Sequence, residues 1–165
     1  DSNSRKNNLA FTEGPYRMTY DSLKDTAESL DAARKAIRIE KIRKGEINPI
    51  ITVSFPVAAL FGHANGKSHW PKSNATKKAR AEAHKATQAA VLHKWPHDSA
   101  ELKMRVVRPH RKHDKHNIPG ATKAIIDGVA DGLGINDKNI NVIWDIAEEI
   151  DKARPRVEIT ITKGD

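Results

Sequence analysis

Between His113 and Asp137 the chain gathers the residue types that metal-assisted hydrolysis needs. Asp114 and His116 stand two apart in a dense polar run, His110-Arg111-Lys112-His113-Asp114-Lys115-His116-Asn117. Lys123 and Asp127 follow at a spacing of four, which places them on one face of a helix. Asp137 lies in the turn Gly134-Ile135-Asn136-Asp137-Lys138. Carboxylates and an imidazole supplied by a loop, a helix and a turn can converge on a divalent cation. Hard oxygen donors suit magnesium or manganese, and the imidazole moves the preference toward manganese or zinc. Such a cation can activate water and offset charge on a phosphate. Arg108, Arg111, Lys112 and Lys115 could hold a phosphodiester backbone beside it. Plainer readings stand next to these: a turn aspartate, a helical ion pair between Lys123 and Asp127, and a solvated basic loop.

Several elements must position these side chains. Leu23, Ala27, Leu30, Ala33 and Ile37 recur at spacings of three and four, so residues 21 to 44 read as one helix with an apolar face. Asp21, Asp25, Glu28 and Asp31 come first in it, and Arg34, Lys35, Arg38, Lys41, Arg43 and Lys44 come last, an order that complements the helix dipole. Gly45 is a natural stop. The helix reads either as an accessory element docked on the core or on a partner subunit, or as a DNA-contacting arm. Ile50-Ile51-Thr52-Val53-Ser54-Phe55, ended by Pro56, is a strand. A polar loop over residues 62 to 74 precedes a second helix, about Ala75 to Lys94, which Trp95-Pro96 should end. Leu102, Met104 and Val106 alternate with Lys103 and Arg105 in a half-buried strand. Pro119 opens a third helix running to about Leu133. Ile140, Val142, Trp144 and Ile146 alternate as a strand, with Trp144 read as core, and Val157, Ile159 and Ile161 form another. Residues 148 to 155 are expected to join these two as a hairpin. The element order predicts an α+β domain with a mixed or antiparallel sheet packed with helices. The division expected is a tail over 1–18, an accessory helix over 19–46 and the main domain over 47–165.

The chain has 165 residues, 29 Lys and Arg, 21 Asp and Glu, 8 His and no Cys. Disulfides, Cys-ligated zinc and thiol nucleophiles are therefore excluded. Nothing resembles a membrane span, and the residues from Asp1 carry no apolar signal-peptide segment, so a cytoplasmic setting is expected. The formal charge of +8 favours a polyanion, nucleic acid first.

The segment Asp114-Lys115-His116-Asn117-Ile118-Pro119-Gly120-Ala121-Thr122-Lys123-Ala124-Ile125-Ile126-Asp127-Gly128-Val129, followed by Gly134-Ile135-Asn136-Asp137, resembles the signature of RusA-type Holliday junction resolvases. That signature is Asp-x-Asp-Asn, then Lys and Asp four apart, then a turn with one or two Asp. Ile51 to Pro56 is similar to the family's opening strand, His63-Ala64-Asn65-Gly66-Lys67 to its polar loop, and Pro155 to Ile161 to its closing strand. The likeness spans about residues 48 to 163 and leaves the first helix outside.

The resemblance implies a homodimer that cuts four-way DNA junctions symmetrically with magnesium or manganese, leaving 5′-phosphate ends, in a bacterial or phage-infected cell. Asp114, His116 and Asp137 fall at the metal positions, Lys123 at the helix lysine and Asp127 at the helix aspartate. His116 replaces a carboxylate, and Asn136 stands where a second turn aspartate is frequent. Asn117 is expected to cap the third helix. His63, Asn65, Lys67, Lys77, Lys78, Arg108, Arg111 and Lys112 are the expected DNA contacts; Trp70 and Trp95 read as packing residues. A catalytically weak junction-binding protein on the same fold is the alternative that His116 raises. A basic RNA-binding domain is a third, but the strands lack the aromatic residues that stack bases.

Overall fold

The computed structural model describes residues 20–61, 69–111 and 115–164, with side chains at 23–61, 72–111 and 115–164. The main elements are α1 (Tyr20–Arg43), β1 (Ile50–Ser54), α2 (His69–Val91), β2 (Ala100–Arg108), α3 (Ile118–Leu133), β3 (Ile140–Ile150) and β4 (Arg156–Lys163). Short 3-10 turns occupy Ala58–Leu60, Lys115–Asn117 and Asp137–Asn139. The architecture is α+β with a four-stranded mixed sheet. None of the described helices is long and apolar enough to cross a membrane.

The sheet order is β1-β4-β2-β3. β2 pairs parallel with β3 and antiparallel with β4, and β4 pairs antiparallel with β1. The expected hairpin between the last two strands is therefore corrected, because β2 lies between them. β2 is the most buried strand, and both of its edges are satisfied by ladders. Residues 151–155 carry the chain past the end of β2: Asp151 N–H donates to the Arg108 carbonyl at 3.1 Å. The Asp151 carboxylate accepts from the backbone of Ala153 and Arg154 at 3.1 and 2.9 Å, fixing the turn.

Leu102, Met104 and Val106 of β2 and Val157, Ile159 and Ile161 of β4 face Ala83 and Val91 of α2 and Ile125, Val129 and Leu133 of α3. Each such side chain contributes about 1.5–3 kcal/mol by leaving water. The alternate residues carry charge instead. Arg105 pairs with Glu149 and Glu158, and Arg156 with Asp151 and Glu158, at 2.7–3.3 Å.

Three boundaries differ from expectation. α2 begins at His69 rather than near Ala75, because Pro71 is tolerated in a first turn. It ends at Val91, where Leu92 adopts φ 64. β3 continues to Ile150 because β2 continues to pair with it as far as Arg108. Trp144 does lie opposite Met104, but on an edge strand, so it is 38 % exposed rather than core. Its indole N–H reaches the Thr122 hydroxyl at 3.4 Å. Trp95 is buried and donates to the Ser99 carbonyl at 3.0 Å. Asn117 takes the position before α3 but makes no side-chain capping bond.

The chain divides into two compact units at Ala36/Ile37, inside α1. In the first, Leu23 and Leu30 are exposed; in the second, Ile42 is buried in the core.

α2 and α3 meet through glycine. A Cβ on Gly128 would collide with the Arg80 carbonyl and lie 2.9 Å from Ala83 Cβ. One on Gly132 would lie 2.6 Å from Thr87 Cβ. The obstacle at Gly128 is backbone, which cannot rotate away. Gly128→Ala should therefore destabilise the fold by about 2 kcal/mol despite the better helix propensity of Ala. Chemical denaturation of the two proteins checks this; equal midpoints would show that the helices can separate without cost.

Candidate functional site

α3 is amphipathic, and its apolar face lies against the sheet. Lys123, Asp127 and Asp131 succeed one another at intervals of four along another face. At its end Gly134 adopts φ 71, and its N–H donates to the Ala130 carbonyl at 2.9 Å. This left-handed cap suits glycine because it lacks a Cβ. The chain then turns back into the Asp137–Asn139 turn, where the Asn136 side chain accepts from the Lys138 N–H at 3.0 Å.

The reversal brings Asp137 to α3. Lys123 Nζ lies 3.0 Å from Asp127 Oδ1 and 3.7 Å from Asp137 Oδ2. The hydrogen bond to Asp127, with the negative charge of both carboxylates, raises the Lys123 pKa above its ordinary value. The ammonium therefore stays charged. Beside it, Arg80 of α2 holds Asp131 through two bonds, the Nη2–Oδ1 one at 2.9 Å. This raises Arg80 and holds Asp131 below the ordinary carboxylate range. Arg80, Asp127, Asp131, Asn136 and Asp137 line a cleft of about 300 Å³.

The other expected site residues distribute as follows. His116 is exposed in the turn that leads into α3. Asp114, His63, Asn65, Lys67 and Lys112 lie outside the described residues. Lys77 and Lys78 are exposed on α2, and Arg111 is exposed just after β2. Arg108 is 4 % exposed at the end of β2, beside a register shift in that strand. Lys115 is held by Glu148 of β3 at 3.0 Å. Glu148 is held below the usual carboxylate range by that bond first, and more weakly by the charges of Arg108 and Arg111.

Lys123, Asp127 and Asp137 thus come together. Among the described residues, no group of three His, Asp or Glu side chains is placed to hold a metal ion. The Asp137 carboxylate and the exposed His116 imidazole nevertheless are donors that suit a divalent cation of the magnesium or manganese kind. Arg80 and Asp131 were missed in the sequence. Asp131 could have been found as the next step in the four-residue spacing; Arg80 could not, because the docking of α2 on α3 supplies it. No protein-family model matches the chain, and no curated protein matches it.

Because Arg80 depresses the Asp131 pKa, the pair stabilises the fold fully above the ordinary carboxylate range. That contribution is lost as pH falls through the depressed folded value. Asp131→Asn should cause a modest loss of thermal stability at neutral pH, small because the pair is substantially exposed. The difference from the wild type should close in acid. A gap of constant size in melting curves across this pH range would show that the charge contributes nothing.

Proposed function

We propose that the chain is a metal-dependent endonuclease for four-way DNA junctions, of the kind its sequence resembles. The convergence of Lys123 on Asp127 and Asp137 carries this reading. It unites the helix and turn positions that the resemblance singles out as chemical. The positive charge of the chain and the exposed Lys77, Lys78 and Arg111 suit a phosphodiester partner.

In this reading Asp114, His116 and Asp137 hold magnesium or manganese. When bound, the cation supplies an activated water and offsets phosphate charge. Lys123 presents a permanent positive charge to the phosphate as negative charge builds on its oxygens. Asp127 keeps Lys123 protonated and aimed. The Arg80–Asp131 pair fixes α2 against the face of α3 that carries these groups. His63, Asn65, Lys67 and Lys112 complete the DNA contacts with Lys77, Lys78 and Arg111. A two-fold dimer suits a substrate cut twice symmetrically.

A second reading is a junction-binding protein of weak activity. His116 favours it, because a neutral imidazole in place of a carboxylate lowers the negative charge available to a cation.

Nicking of a mobile four-way junction, against linear duplex, with magnesium, manganese or EDTA, separates them. Paired cuts that need metal and fall about a hundredfold or more in Asp137→Asn and Lys123→Ala are expected. Undiminished cutting by both variants would refute the assignment. Tight junction binding without cuts in either metal would establish the second reading.

A further inference from the structure

We propose that α1 is a pairing helix, and that its partner is the same helix of a second copy of the chain, packed antiparallel. The inference is independent of the nuclease reading. Leu23, Leu30 and Ile37 are 50, 54 and 58 % exposed. They lie seven residues apart, with Ala27 between the first two, so they form one line along the helix. Apolar side chains scattered singly over a surface need no explanation, but a continuous line of them marks a seam.

The charges select the occupant. Asp25, Glu28 and Asp31 lie in the first half, and Arg34, Lys35, Arg38, Lys41, Arg43 and Lys44 in the second. Among the described residues Asp25, Glu28 and Asp31 make no ion pair, whereas Glu40 is engaged within its own helix by Arg43 and Lys44 at 3.4 and 3.7 Å. A parallel pair would set acid against acid and base against base, which is destabilising. An antiparallel pair sets each acidic half along the basic half of the second copy. With the two-fold axis at Leu30, Leu23 lies beside the second copy's Ile37 and Asp25 beside its Lys35. One helix is thus complementary to itself only when reversed.

The full chain tests this by sedimentation equilibrium and by crosslinking. The wild type should be dimeric. Leu23→Asp with Leu30→Asp should raise the dimer Kd at least about tenfold. The melting of the sheet domain should not change, since both residues are exposed. The chain has no native cysteine, so disulfides report orientation directly. Leu23→Cys chains mixed with Ile37→Cys chains should give chiefly the mixed disulfide on oxidation. A monomeric wild type, an unaltered Kd in the double variant, or a predominance of like-with-like disulfides would each overturn the proposal. A helix serving only as a DNA arm would give one of the first two.

Discussion

Two glycines one turn apart set the distance between α2 and α3. Gly128 and Gly132 present no side chain toward Arg80, Ala83, His84 and Thr87, so the helix backbones can close on each other. That approach puts Arg80 within reach of Asp131. It therefore fixes α2 relative to the face of α3 that carries Lys123 and Asp127. The charged cleft is a consequence of a steric vacancy: with any Cβ at these positions the helices would stand further apart, and the Arg80 side chain would have to span the added gap.

The sheet supplies the other half of the positioning. β2 leads into the basic run, α3 crosses over, and β3 returns parallel to β2. The left-handed cap at Gly134 then turns the chain back to bring Asp137 beside Lys123. Lys115, at the entry to α3, is tied to Glu148 on β3. The basic loop therefore has a counter-charge within the same βαβ unit. Buried apolar contacts set the frame; exposed ion pairs of modest strength orient the chemical groups upon it.

Local patterns in the sequence made the elements legible. Alternation located the core strands, and the spacing of four placed Lys123 against Asp127. Turn chemistry placed Asp137 just beyond the helix. Pairing was less accessible, because the alternation of Val157, Ile159 and Ile161 is the same whether β4 lies beside β3 or beside β2. Trp144 shows the same limit: its face was readable, but its place at an edge depends on the order of strands. Arg108 has the composition of a surface residue and is buried by the ladder ending around it. The Arg80–Asp131 pair joins residues 51 apart in the chain, which no helical period encodes.

The strand order also governs the timing of assembly. Of the four strands of the sheet β1 is synthesised before the others, yet its neighbour is β4, made after them, with Ile50 opposite Thr160. Until β4 is made, the ladder groups of β1 have no strand to meet, and β2 lacks one of its two partners. The α3 crossover and the β2–β3 pair can form earlier from sequence already available. Closure of the sheet must await β4, which joins its two halves in one long-range step. Loss of β4 would accordingly remove the seam between β1 and the rest of the sheet, leaving a nascent chain with its helices formed and its principal core open to water.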